Sequence, residues 1–363
     1  MSSSTREASE KSRSSAAIGS TWPPELSGPD RLTGIPSAVG TDRAPRRALI
    51  TGIGGQDGSY LAEFLLENGY EVHGLTHGSG TPELLDRLGL APRVGLHAGD
   101  LLDQDSLLAA VRASEPDEVY NLAAFSSVGE SWLAPVATAG STAVGATRLL
   151  EAVREASPRA RYFQASSSEM FGVPRERPQR ELTPFDPISP YGAAKLYAHN
   201  ITVDYRRSHG LHASCGILFA HDSPRRGEQF VTHQITSGAA ALKLGRSDEL
   251  VLGRTDVKRD WGFAGDYVEA IWMMLQRDEP DDYVLGTGVS HSVQDVVDRA
   301  FARVGLDPDG LVRTDPARSR PSDIGEQIAD PAKAKHELGW SARVGFDELI
   351  EMMVDAALRR LGA

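Results

Sequence analysis

Cysteine is nearly absent from this chain: among 363 residues there is one, Cys215. No disulfide framework can form within a single copy, and the expected setting is a reducing cytoplasm. Basic charge is also short. Lysines and arginines number 38 against 50 aspartates and glutamates, a net charge of -12, and no basic cluster stands out. A nucleic-acid partner is therefore not expected. No apolar run approaches the roughly 20 residues that span a bilayer, so no membrane association is expected either. No metal site is expected. The first 46 residues are rich in Ser, Pro, Gly and Arg and lack the apolar stretch of a secretory signal. Glu7, Glu10 and Glu25 are out of place in an organelle transit peptide. Residues 1–46 read as a disordered extension.

What is present is a chain with 40% hydrophobic residues, enough for one large domain or a domain with a smaller lobe. Short apolar runs at 48–51, 70–75, 94–97, 118–123, 162–166 and 213–219 read as strands. Stretches of helical spacing, such as 59–68 with Leu61, Phe64 and Leu65, come between them. Alternation of this kind predicts an α/β fold, a Rossmann-type doubly wound parallel sheet. After Ala220 the rhythm changes. Segments 221–262 and 305–330 read as loops with arginines at intervals, and 266–276 and 292–304 as helices. The expected division is a dinucleotide-binding domain over 47–220, to which 263–304 returns in part, and a smaller C-terminal substrate-binding lobe from 221–262 and 305–363.

Gly52, Gly55 and Gly58 follow the first strand and open a helix. Glycine there lets the backbone turn tightly and approach a pyrophosphate at the helix N-terminus. Asp100, after the third strand, reads as an acceptor for adenine or as a turn aspartate before a helix. The stretch His73-Gly-Leu-Thr-His77-Gly-Ser79 ends the second strand with neither an acid for ribose hydroxyls nor arginines for a 2′-phosphate. Downstream, Ser189-Pro-Tyr-Gly-Ala-Ala-Lys195 places a phenol and an ammonium four residues apart, on one helix face. The expectation is that Lys195 lies beneath the Tyr191 hydroxyl, favours its phenolate and still reaches a ribose. Ser166-Ser-Ser-Glu169 ends the fifth strand, where Glu169 reads as a carbon-acid base or as a helix cap. Arg225, Arg226 and Arg259 suit a diphosphate as a group, though singly each also reads as a solvated loop residue. Trp261 reads as packing.

Taken together these residues resemble the GDP-mannose 4,6-dehydratase family of extended short-chain dehydrogenases. Five stretches of the region from Arg47 to the C-terminal helix carry the resemblance: 48–67 with its Gly-Gln-Asp-Gly, Gln164-Ala-Ser-Ser-Ser-Glu169, 189–197, Ser223-Pro-Arg-Arg-Gly-Glu228 and Lys258-Arg-Asp-Trp-Gly262. The closing segment 330–340 matches too. The resemblance implies a hydroxyl contact at Ser167, the elimination acid/base at Glu169, the phenolate base at Tyr191 and its partner at Lys195. It implies cofactor contacts at Gly52, Gly55, Gln56, Asp57, Gly58, Asp100, Leu101, Leu122, Ala123, Ala124, Ser126, Lys195, His221 and Arg226, and substrate contacts at Ser131, Arg226, Arg259 and Arg320. The chain departs from the family at His77-Gly78 (paired arginines), at a shortened insertion around 82–90, at Ala220 (asparagine), at His233-Gln234 (Arg-Lys) and at Ala137 (tyrosine).

The activity implied is a lyase with an internal redox cycle: a nucleotide-sugar 4,6-dehydratase taking GDP-mannose to a 4-keto-6-deoxy sugar. NADP is the expected cofactor, with NAD admitted because the 2′-phosphate arginines are absent. A homodimer is expected, with a tetramer left open. Two other readings stay open: a nucleotide-sugar epimerase, reductase or decarboxylase on the same scaffold, and a cofactor-binding pseudoenzyme. Retention of Ser167, Glu169, Tyr191 and Lys195 together argues against the second.

Overall fold

A computed structural model describes residues 44–78, 80–319 and 325–362. Nearly all of the expected N-terminal extension, Ser79 and Arg320 lie outside the described residues. The first element is β1 (Arg47–Thr51), followed by α1 (Gln56–Glu67), β2 (Glu71–Thr76), β3 (Gly95–Ala98), α2 (Gln104–Ser114) and β4 (Glu118–Asn121). Then come α3 (Gly145–Ala156), β5 (Arg161–Ser167), α4 (Pro190–His209), β6 (Ala213–Leu218), α5 (Val231–Lys243), α6 (Ala264–Gln276), β7 (Asp282–Leu285), α7 (Val293–Val304) and α8 (Phe346–Arg360). The strands form one seven-stranded sheet in the order β7-β6-β5-β4-β1-β2-β3, parallel throughout. Strand order reverses between β1 and β4, which places a ligand crevice over their carboxyl ends.

The central strands are buried on both faces, which is why they read as continuous apolar runs rather than alternating ones. One core layer joins α1, α6 and the C-terminal helices through Tyr60, Phe64, Phe263 and Tyr267. The opposite layer joins α2, α3 and α4 through Leu107, Leu149 and Tyr205.

Three sequence expectations need correction. The sheet has a seventh strand, β7, between the helices expected at 266–276 and 292–304, where the sequence reading places no element. Segment 221–262 is not loop throughout but contains α5, whose Thr- and Gly-bearing sequence hides its apolar face. The 305–330 segment contributes Val312–Thr314, which pairs with Leu250–Leu252. Two further small pairs, His221–Asp222 with Gly262–Phe263 and Lys258–Asp260 with Ser290–Ser292, tie the lobe segments to the sheet's carboxyl edge. The remaining strand and helix bounds shift by at most three residues. Trp261 is packed, as expected, 4% exposed and against Phe346.

Candidate active site

The turn after β1 is built by steric necessity. Gly52 has φ +72°, and a Cβ on Gly58 would lie 2.2 Å from the Gly52 carbonyl oxygen, so a side chain at Gly58 would push the turn apart. Gly55 caps α1 with no side-chain hydrogen bond, leaving the first-turn amides for a ligand. This cradle fits a dinucleotide pyrophosphate. A cleft of about 640 Å3 opens above it, lined by Gly52, the 54–58 turn, Leu122, Ala123, Ala124 and Ser126 on one wall and by the 224–230 loop on the other. A second cavity of about 470 Å3 continues over Thr76, His77 and Pro82. Asp100 accepts from the Leu102 amide at 2.9 Å and stands 3.3 Å from His77, and the Leu101 carbonyl accepts from Arg148.

Gln56 and Asp57 turn toward the far wall. His221 Nε2 lies 2.9 Å from Asp57 Oδ2, while His221 Nδ1 is 2.7 Å from the Phe219 carbonyl. Gln56 donates to the His221 carbonyl and accepts from the Ser223 hydroxyl at 2.8 Å. Burial alone would raise the Asp57 carboxyl, but the charge and hydrogen bond of His221 outweigh it and bring it down to about 2. Burial likewise opposes charge on His221, and Asp57 reverses that, so the imidazole titrates above its ordinary value. Arg225 pairs with Glu63 at 2.5 Å and covers the Tyr60 ring, and Arg226 pairs with Asp222 at 2.6 Å. Apart from the Arg226–Asp222 and His221–Phe219 contacts, these links join segments more than 150 residues apart, and no local pattern could have announced them.

The second half of the site lies where α4 meets the end of β5. Ser189 caps α4 by accepting from the Gly192 amide at 3.0 Å, and Pro190 fills its first position. Gly192 lets that turn close onto the Glu169 carbonyl, since a Cβ there would stand 2.6 Å from the oxygen. Tyr191, Ser167 and Glu169 are thereby brought together. The Ser167 hydroxyl is near enough to the Tyr191 phenol to favour its ionised form, and it accepts from the Glu169 amide at 3.2 Å. Arg259 lies beside the Glu169 carboxylate at 4.0 Å, both largely buried.

The Lys195 ammonium stands over the face of the Tyr191 ring and makes its hydrogen bond elsewhere. Lys195 is 4% exposed, and its Nζ donates to the Ala165 carbonyl at 2.7 Å, 5.8 Å from the Tyr191 ring centre. Burial brings the ammonium down to about 8. Burial also pushes the phenol up to about 12, helped by the Glu169 carboxylate and opposed by Ser167 and Arg226. Ser131, expected to touch substrate, is fully buried; its hydroxyl accepts from the Tyr191 amide at 3.3 Å and positions that residue instead. His233 lines the cleft next to Arg360, 3.0 Å away on the last helix, a neighbour that sequence reading missed.

Among the described residues no group of His, Cys, Asp and Glu could hold a metal ion, and no helix is long and apolar enough to cross a membrane. The chain matches the family model described as GDP-mannose 4,6 dehydratase over residues 49–353. It is 50% identical to GDP-mannose 4,6 dehydratase 1 of Arabidopsis thaliana, covering 86% of this chain and 90% of that one. It is 44% identical to GDP-mannose 4,6-dehydratase of Yersinia enterocolitica, covering 87% and 94%. The NAD complex of UDP-glucose 4-epimerase from Thermus thermophilus superposes with a TM-score of 0.76 at 29% identity, covering 86% and 98%. A glycine cradle, a tyrosine and lysine on one helix and a glutamate at the strand end thus coincide with a match across most of the sequence, and the chain belongs to the GDP-mannose 4,6-dehydratase family.

Proposed function

We propose that this chain is a hydro-lyase converting GDP-mannose to GDP-4-keto-6-deoxymannose. The observation that carries the reading is Glu169 beside Ser167 and Tyr191: oxidation alone needs one base, whereas elimination needs a second acid/base group. The glycine cradle at 52–58 would hold a nicotinamide dinucleotide, which would supply the hydride acceptor of the cycle when bound in its oxidised form. Tyr191 takes the proton of the sugar 4-hydroxyl as hydride leaves carbon 4. The new ketone acidifies the hydrogen on carbon 5, and Glu169 removes it as a proton. Glu169 returns that proton to the carbon 6 hydroxyl, which leaves as water. Hydride then adds to carbon 6, Tyr191 releases its proton to solvent, and solvent supplies one to carbon 5. No net oxidant is consumed.

NADP is the proposed cofactor. The exposed His77 stands with Gly78 just past the end of β2, where no arginine clamps a 2′-phosphate, so NAD should compete within roughly two orders of magnitude. Arg226, Arg259 and Arg320 are the proposed diphosphate ligands, with segments 221–262 and 305–363 forming the nucleotide-sugar lobe. A homodimer is proposed from the exposed apolar side chains Leu133, Val136, Val144 and Tyr197 along α4 and the segment before α3.

Incubating the purified chain with GDP-mannose and cofactor should yield the 4-keto-6-deoxy product. Glu169→Gln should keep cofactor affinity and lose turnover by on the order of 10²–10⁴-fold. Unchanged turnover in that variant, or a C4 epimer as the product, would overturn the reading.

A further inference from the structure

Tyr191, Lys195 and His199 recur every fourth residue on α4, so they share its β5-facing side. The strand end β5 serves the first pair: the Ala165 carbonyl receives Lys195 at 2.7 Å, and the Ser167 hydroxyl stands near the Tyr191 phenol. Ser166 stands between them, with its hydroxyl 3.0 Å from His199 Nδ1. On the other side of the ring, Nε2 faces Asp282 of β7 at 4.0 Å. Asp282 is held by both terminal nitrogens of Arg206 at 2.9 Å and accepts from the Cys215 amide at 3.2 Å. The ring is 6% exposed and meets Phe185 edge-on. Serine, histidine and aspartate follow one another as in a hydrolase, but Ser166 is 2% exposed, so no substrate reaches it as a nucleophile.

We propose that His199 is a positioning residue for the reaction: accepting the Ser166 hydroxyl on Nδ1, it fixes the end of β5, where the Ala165 carbonyl holds Lys195 and Ser167 lies beside Tyr191. The proposal rests on the reading of Tyr191 and Lys195 as catalytic. With Nε2 toward a carboxylate, the ring's single proton belongs there and Nδ1 is free to accept. Burial keeps the imidazole below the ordinary histidine value, against the pull of Asp282 and with the help of Arg206. The charged and titratable groups around it are Asp282 from β7, Lys195 and Arg206 from its own helix, and the Cys215 thiol of β6, which burial pushes up. From β5 the Ser166 hydroxyl faces it. Protonation turns Nδ1 into a donor, so the Ser166 O–H must turn away and its oxygen accept instead, which reverses the bond and puts a buried cation beside Arg206 and the strand end that holds Lys195.

The test compares wild type with His199→Leu and His199→Gln, whose amide can still accept and donate. The readouts are melting temperature, NADPH affinity by fluorescence, and kcat and KM from about pH 5 to 9. His199→Leu should lower kcat roughly tenfold or more with little change in KM, as expected when reacting groups are misplaced by a fraction of an ångström. His199→Gln should restore most of kcat near pH 8 and lose the acid limb that wild type shows below the ordinary histidine range. A full wild-type kcat in His199→Leu, or an unchanged acid limb in His199→Gln, overturns the proposal; should the leucine variant not fold, the glutamine pH profile decides alone. Lys195→Met and Tyr191→Phe separate the two readings. If both stay active the catalytic assignment itself fails, whereas if both are inactive while the His199 variants behave as wild type, only the positioning role fails.

Discussion

Asp57 sits in the first turn of α1, where an anion is expected to bind, and a bare carboxylate there would repel a phosphate. His221 removes that conflict by pairing with it, so one residue can face the cofactor seat while holding the opposite wall. The pair has a pH signature. The lowered Asp57 contributes stability that is complete above its ordinary value of 3.8 and is lost as pH falls toward about 2. The raised His221 contributes stability that is complete below its ordinary value of 6.5 and is lost as pH rises through its higher folded value. Both therefore operate between about pH 4 and 6.5. The melting-temperature difference between wild type and Asp57→Asn should be largest in that interval and shrink at about pH 9. A difference independent of pH would show that the two groups do not form an ion pair.

At the scale of elements, the glycine turn and α4 are the two devices that bring chemistry to the sheet edge. A methyl group at Gly58 meets the Gly52 carbonyl and the Ile53 Cα at 2.2 and 2.6 Å, backbone atoms that cannot swing aside. Gly58→Ala should therefore cost about 1–3 kcal/mol in stability and weaken cofactor binding at least tenfold, measured by thermal melts and fluorescence titration. A variant that binds the cofactor as wild type does would refute the tight-turn account. Six strands and both devices were legible because their information is local: an apolar run, glycines at fixed spacing, a serine and a proline before Tyr191. β7 escaped because Asp-Tyr-Val-Leu is too short to stand out and is defined by its partner β6. The roles of Ser131 and His199 escaped for the same reason, since each is set by an atom on a distant segment.

Across the whole molecule, function depends on keeping two walls of one cleft in register. Gln56 with Ser223, Asp57 with His221 and Glu63 with Arg225 tie α1 to the 221–226 loop. Asp260 performs the same service further out, accepting from Thr287, Gly288 and Ala329 and so fixing the strand that bears Arg259. On the outer surface, Leu133 and Val136 are 86% and 85% exposed, and charge placed there should leave the cleft intact while separating a dimer. Leu133→Glu with Val136→Lys should elute as a monomer in light-scattering chromatography, and an unchanged mass would place the interface elsewhere. Internal return of hydride is the step on which the proposed activity depends, and isotope tracing tests it most directly. GDP-mannose carrying deuterium on carbon 4 should give a product with deuterium on carbon 6 and no accumulation of reduced cofactor. Deuterium found in solvent or in NADPH, with carbon 6 unlabelled, would contradict it.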